Sequence, residues 1–208
     1  MFSKLGNKKL KETQLSNRWV FGTLLAFGIT GLIASFALAV DEFVLLKNPD
    51  TVLNCSFNVV LNCGAVMKTP QAAAFGFPNM FIGLMGFPIV ITIALLGLSK
   101  IQFPRWFLIG AEIGILFWTL FAYWLFFNSV YIIQVLCPWC LVVTFSMTIL
   151  SGTITHFNLM NDTFHLSKRT QKWADQFLAN DFDKLVVAIW VVFLIALVFA
   201  KFGDALFA

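Results

Sequence analysis

The chain has 208 residues, of which 60% are hydrophobic and 12% are charged. Soluble domains contain roughly 45–50% apolar and about 25% charged residues, so this composition is typical of an integral membrane protein. The net charge of +4 does not indicate nucleic-acid binding, because the basic residues fall in predicted loops and not along one face.

Five apolar stretches are candidate transmembrane helices, since a bilayer core of about 30 Å needs roughly 20 residues of helix. In chain order they are Trp19–Val40, Asn79–Leu98, Trp106–Phe127, Ser129–Ile154 and Leu185–Ala200. The sequence therefore predicts an all-α membrane protein. It divides into a tail (1–18), a four-helix core (19–154) with an outer loop (41–78), a connector (155–184), and a fifth span with the C-terminus (185–208).

The placement of lysine and arginine predicts the orientation of these spans. The tail, the link between the second and third spans, and the connector all lie at one end of the bundle and hold most of the basic residues. The other end keeps only Lys47, Lys68 and Lys201. Because basic loops stay in the cytoplasm, we expect a cytoplasmic N-terminus and an outer C-terminus.

The connector is polar but carries Phe164, Leu166, Trp173 and Phe177. This pattern fits a basic amphipathic helix on the cytoplasmic membrane surface. A solvated connector explains it equally well.

All four cysteines fall in the outer half of the predicted topology. Cys55 and Cys63 lie in the outer loop, whereas Cys137 and Cys140 stand at C-x-x-C spacing about 12 Å into the fourth span, at 1.5 Å per helical residue. Pro138 between them requires either a kink or a helix start. A helix start would favour a thiolate near Cys140 through its free N–H groups.

Three interpretations of the cysteines stay open at this level. The loop pair is a structural staple, the four sulfurs form a zinc site, or the two pairs form a redox relay. The buried pair favours the relay, because thiol–disulfide exchange passes two electrons between sulfur pairs and a quinone is the natural lipid-soluble acceptor. The chain shows no flavin or metal motif, so we expect no metal.

Two segments carry a resemblance to a known family. They are "LNCGAVMKTPQAAAFGFPNMFIGLMGF" (Leu61–Phe87) and "NSVYIIQVLCPWC" (Asn128–Cys140). Together with the loop cysteine Cys55 they resemble bacterial members of the vitamin K epoxide reductase family. The resemblance covers roughly half of the chain and implies a four-helix bundle around a quinone, with a fifth helix appended.

The resemblance also implies a role for each matching residue. Cys140 faces the quinone, Cys137 is its partner, and Cys137 exchanges with the loop through Cys63. Cys55 takes electrons from a thioredoxin-like protein. Asn79 donates a hydrogen bond to a quinone carbonyl; the competing interpretation of Asn79 is a helix N-cap.

Three further residues complete the expected site and its surroundings. Trp139 covers the quinone or simply packs, and Thr144 stands where animal members have a tyrosine, which puts epoxide chemistry in doubt. Glu112 is an acid within a span. Such residues are often functional, and proton uptake from the cytoplasmic side is one interpretation, but we favour snorkelling or pairing with a loop cation.

The resulting expectation is a membrane thiol oxidoreductase of the bacterial plasma membrane. It passes electrons from a thioredoxin-like partner to menaquinone or ubiquinone and so supports disulfide formation in exported proteins. Many family members carry a fused thioredoxin-like domain; nothing of that size follows Ala208, so a separate partner is expected. The alternatives are a vitamin K epoxide or quinone reductase proper, and a non-catalytic membrane scaffold with structural disulfides.

Overall fold

The computed structural model describes the backbone of residues 2–206 and the side chains of residues 17–203. Within that range the chain is helical and has no strand beyond one isolated bridge. The helices are α1 (Phe2–Lys47), α2 (Cys63–Met67), α3 (Met80–Leu98), α4 (Arg105–Asn128), α5 (Pro138–Met160), α6 (Lys168–Ala179) and α7 (Phe182–Leu206).

Five of these helices are long and apolar enough to cross a membrane, which confirms the predicted all-α membrane protein. The qualifying stretches are Asn17–Lys47, Met80–Leu98, Arg105–Ile133, Pro138–Met160 and Phe182–Gly203. The first is longer than expected, because α1 continues beyond Val40 for almost two further turns. The basic side chains of the tail before Asn17, and the last two residues of the expected outer C-terminus, lie outside the described part.

The core of the bundle is formed by α1, α3, α4 and α5, and α7 packs against the outside of α5. α1 lies between α3 and α5 in close contact with both. Two glycines allow this approach: a Cβ on Gly31 would lie 2.2 Å from the Phe87 ring, and a Cβ on Gly83 would lie 2.1 Å from Ser35 Oγ. Because α3 packs closely against α1, a space remains between α3 and α4.

The fourth span begins later than the sequence indicated. Residues Ser129–Ile133 do not open it; they continue α4 as a π-helical turn. The chain then reverses at Gln134, whose φ of 56° is left-handed, and α5 begins at Pro138. The expected start at Ser129 is wrong because hydropathy is continuous through the turn and does not show the break. Cys137 is therefore the N-cap of α5 and not a residue two turns inside a helix.

Glu112 is buried between α4 and α5, with 4% of its surface exposed. Its carboxylate accepts hydrogen bonds from Thr155 Oγ1 at 2.6 Å and Asn158 Nδ2 at 2.9 Å. Arg105 donates instead to the carbonyl of Thr163. Among the described residues no cation forms an ion pair with Glu112, so neither snorkelling nor pairing with a loop cation is observed, and Glu112 ties α4 to α5.

The connector forms a helix, α6, which begins after the N-cap Ser167. The rings of Trp173 and Phe177 stack on it with centroids 5.3 Å apart. After α6 the chain enters α7, whose first turn is held against the core because the carboxylate of Asp183 lies 2.6 Å from His156 of α5.

The left-handed residue at the α4–α5 reversal gives a test of the fold. Because a β-branched side chain is strained at positive φ, we expect Gln134→Val to be less stable than Gln134→Gly by about 1–2 kcal/mol. Unfolding in detergent micelles measures the difference. Gln102 lies in a loop without positive φ, so the same pair of substitutions there should not favour glycine. Equal stability of the two Gln134 variants would contradict the proposed reversal.

Candidate active site

A short backbone bridge joins the outer loop to the segment that precedes α5. The amide of Asn62 donates to the carbonyl of Leu136 at 2.9 Å, and the amide of Leu136 donates to the carbonyl of Val60 at 2.7 Å. These bonds form an isolated parallel bridge between Leu61 and Leu136. Since Cys137 directly follows Leu136, the bridge brings Cys137 next to the loop.

Two asparagines shape the loop so that it can make this bridge. Asn58 Oδ1 accepts the amides of Val60 and Leu61 at 3.0 and 2.7 Å, which turns the chain. Asn62 caps α2 by accepting the amide of Ala65 at 3.0 Å, and it also accepts the hydroxyl of Ser56. Cys63 is consequently the first residue of α2.

The sulfurs of the four cysteines lie close together in one buried cluster. Cys55 and Cys63 form a disulfide, and Cys137 Sγ lies 3.4 Å from Cys63 Sγ. Cys63 and Cys137 are almost fully buried, with 0% and 1% exposure, and Cys140 is half-buried. The backbone thus brings together the loop and helix sulfurs that the sequence placed 74 residues apart.

The N-terminus of α5 stabilises negative charge on Cys137. The amide of Cys140 donates to Cys137 Sγ at 3.4 Å, as expected of a sulfur at the N-cap. The sequence favoured a thiolate near Cys140, but the structure directs this N–H at Cys137. A Cys137 thiolate is also in reach of Cys63, so attack on the loop disulfide would form a Cys63–Cys137 bond and release Cys55.

A cavity of about 480 Å³ lies on the other side of Cys140. It separates α3 from α4, and residues of α1 and α5 complete its wall. Gly86, Gly110 and Gly114 line it, and a Cβ built on any of them would meet no atom within 4 Å. Its wall is mainly apolar, and its volume is in the range of small-molecule sites.

Three of the four residues expected to contact a quinone line this cavity: Asn79, Cys140 and Thr144. Trp139 does not line it. Trp139 is half-buried against the cluster that contains Cys55, Cys63 and Cys137, which corresponds to the packing alternative.

Asn79 makes no N-cap hydrogen bond to α3. Its Nδ2 donates to the carbonyl of Gln71 at 2.7 Å, and its Oδ1 accepts the amide of Ala74 at 3.2 Å. These bonds hold the side chain in place and use one of its two N–H groups. Thr144 Oγ1 donates to the carbonyl of Cys140 at 2.9 Å, so its hydroxyl proton is already engaged.

The sequence interpretation missed Asp41. Its Oδ2 lies 3.2 Å from Cys55 Sγ, at the outer part of α1. The signal was an acid at the end of an apolar span, which was assigned to the start of a solvated loop. Asp41, Cys55 and Cys63 are the described residues close enough to share a metal ion, but the disulfide leaves neither loop sulfur as a thiolate ligand.

The fold and the site together define a class: a multi-pass, all-α membrane protein with a redox-capable cysteine pair beside an apolar cavity. A sequence model described as the vitamin K epoxide reductase family matches residues 23–155. The match includes α3, α4 and all four cysteines, and the chain belongs to the vitamin K epoxide reductase family. No curated protein matches the chain. The family makes this protein a membrane thiol oxidoreductase with a quinone-type electron partner.

The 3.4 Å approach of Cys63 and Cys137 gives a test of the site. In the double variant Cys55→Ser/Cys140→Ser, these two sulfurs lose their other partners. We expect mild oxidation to join them completely, as read by peptide mass mapping. The matched variant Cys63→Ser/Cys137→Ser keeps Cys55 and Cys140, whose sulfurs are not in contact with each other in the described structure, and it should stay largely reduced. Similar yields from both variants would mean that the loop does not hold the observed register.

Proposed function

We propose that the protein oxidises a separate extracytoplasmic thioredoxin-like protein and passes the electrons to a membrane quinone. The observation that carries this proposal is the line of sulfurs from Cys55 through Cys63 and Cys137 to Cys140, which ends at an apolar cavity. The line connects a loop outside the spans with a cavity between them. Its physiological role would be disulfide formation in exported proteins.

The first exchange takes place at the loop. A partner thiolate attacks Cys55, which forms a mixed disulfide and releases Cys63 as a thiolate. The partner's second thiolate then attacks the partner sulfur of this mixed disulfide and releases Cys55. The partner leaves with a disulfide, and the loop pair has gained two electrons.

The second exchange uses the short Cys63–Cys137 distance. With Cys137 and Cys140 joined, the Cys63 thiolate attacks Cys137 and releases Cys140. Cys55 then attacks Cys63, the loop disulfide reforms, and Cys137 leaves as a thiolate that the Cys140 amide stabilises. The reduced Cys137–Cys140 pair lies beside the cavity.

The residues of the cavity fit a quinone. An isoprenoid quinone presents a flat apolar ring with two carbonyl acceptors, and when bound it would accept two electrons from the cysteine pair and two protons from water. The second N–H of Asn79 is a donor for one carbonyl, and a fixed donor in an apolar site stabilises developing negative charge on oxygen. The glycines of α3 and α4 leave room for a ring.

The outer location of the cysteines rests on the basic residues of the opposite end, which favour a cytoplasmic position for the tail, the α3–α4 link and the connector. The loop also exposes apolar side chains beside the disulfide: Val52, Phe57 and Val59. An exposed apolar rim supports docking of a protein partner.

The alternatives are less well supported. A structural staple does not need a free thiol 3.4 Å from its own disulfide, which disfavours a scaffold. For an epoxide reductase, the hydroxyl at position 144 would have to supply a proton, but it donates to the carbonyl of Cys140. Supplying vitamin K epoxide and analysing the product separates this second activity from thiol oxidation.

Cys140 provides the direct test of electron transfer. We expect Cys140→Ser to abolish quinone-dependent oxidation of reduced thioredoxin, because no Cys137–Cys140 disulfide can form. The absorbance of a soluble naphthoquinone or benzoquinone measures turnover. One disulfide of Cys63, with either Cys55 or Cys137, should persist in this variant, as thiol labelling will show, which distinguishes lost chemistry from lost folding. Full turnover by Cys140→Ser would refute the mechanism.

The cavity has its own test at Gly114, which touches none of the cysteines. A leucine there should fill the space between α3 and α4 and lower quinone turnover by roughly tenfold or more, since catalysis is sensitive to displacements of about 1 Å. Gly22 on α1 is the matched control: it also has open space around its Cβ position but does not line the cavity. Gly22→Leu should keep its activity, and full activity of Gly114→Leu would place the quinone elsewhere.

A further inference from the structure

Asp41 lies within hydrogen-bonding distance of the loop disulfide. Asp41 Oδ2 and Cys55 Sγ are 3.2 Å apart, and both atoms carry lone pairs. Cys55 is joined to Cys63, so its sulfur has no hydrogen to donate. In the disulfide state a hydrogen bond across this contact would use a proton on the Asp41 carboxyl, and after reduction the Cys55 thiol would donate to the carboxylate.

The surroundings of Asp41 are largely apolar. Cys55 is 4% exposed and lies in an apolar cluster with Leu38, Leu45 and Leu53. Asp41 is half-buried at its edge, and in the described part of the chain no lysine or arginine forms an ion pair with it. An unpaired charge in such surroundings is costly, whether on the carboxylate or on a released Cys55 thiolate.

We propose that Asp41 is the general acid and base of the loop disulfide, a catalytic residue that protonates Cys55 when its bond breaks and deprotonates it when the bond reforms. The proposal rests on the exchange sequence described under the proposed function. It adds the path of the proton, which the sulfur geometry alone leaves unassigned.

The proton and electron pairs balance over one cycle. When the partner's second thiolate releases Cys55, the S–S electron pair stays on Cys55 and the proton moves to it from Asp41, which gives a thiol and a carboxylate. When Cys55 later attacks Cys63 in the Cys63–Cys137 bond, the carboxylate takes the proton back. The new bond joins Cys55 to Cys63, Cys137 leaves with the electron pair, and Asp41 is again neutral.

The titratable groups that bear on Asp41 are few. The loop contributes Cys55 and Cys63, and Cys137 contributes the charge at the start of α5. Glu42 follows on α1 and makes no sulfur contact in the described part of the chain, so it offers a matched control carboxyl on the same helix turn.

The test isolates the loop disulfide from the rest of the relay. In the full-length Cys137→Ser/Cys140→Ser protein, without quinone or partner, excess dithiothreitol first forms a mixed disulfide on Cys55 and then releases Cys55. Maleimide mass shifts after acid quenching give the rate of this second step. At the acidic end of the pH range we expect Asp41→Asn to slow the release by about tenfold or more. This is less than the usual effect of a general acid, because thiolates can leave unprotonated. Glu42→Gln should react at the parent rate, and Asp41→Glu should recover much of the loss.

The pH profile supplies a second, independent readout on the parent protein. After division by the concentration of dithiothreitol thiolate, its rate should fall as pH rises, because an ionised Asp41 cannot donate and repels the incoming thiolate. The difference in normalised rate between the parent protein and the Asp41→Asn variant should become smaller over the same pH range. A flat normalised profile, or equal rates for Asp41→Asn and Glu42→Gln at every pH, would overturn the proposal.

This profile decides the question even if Asp41→Asn does not fold. Because the assay contains neither quinone nor partner, its result is independent of whether Cys140→Ser abolishes quinone turnover. The proton role of Asp41 and the proposed electron acceptor can therefore fail separately.

Discussion

Two backbone hydrogen bonds determine whether the four cysteines act as one unit. They join Val60 and Asn62 of the loop to Leu136, and they fix the loop in register with the start of α5. Without them, only side-chain packing would hold the loop that carries Cys63 beside Cys137. Exchange between thiols needs approach of the sulfurs, so this small bridge couples the loop to the membrane-embedded pair.

The helices below that bridge are packed tightly on one side of α3 and loosely on the other. Glycines on α1 and α3 bring those two helices into tight contact, whereas glycines on α3 and α4 leave a space between them. The same small residue therefore closes one interface and opens another, depending on the side of α3 that it occupies. The result places an apolar cavity against Cys140 while the opposite side of the cysteine cluster stays packed.

The spans were predictable because lipid imposes a length and a composition that single-sequence patterns reveal. The break between α4 and α5 was not, since Gln134 reverses the chain through its backbone conformation and leaves the hydropathy unchanged. C-x-x-C spacing indicated redox chemistry at Cys137 and Cys140. It did not show that Trp139 faces the cluster and not the cavity, because side-chain direction depends on where the helix begins.

Asp41 was beyond the reach of the sequence for a related reason. Its role follows from a contact across 14 residues, between the end of α1 and a loop whose path the Leu61–Leu136 bridge determines. That contact also resolves how the relay handles charge. Each exchange releases a thiolate into an apolar cluster, and the two ends of the sulfur line meet this cost differently. At Cys137 the N–H groups of α5 stabilise the charge, whereas at Cys55, which has no helix N-terminus of its own, the proposed proton transfer from Asp41 would remove it. In the proposed relay, electrons would then pass from the loop to α5 because the thiolate is better stabilised there.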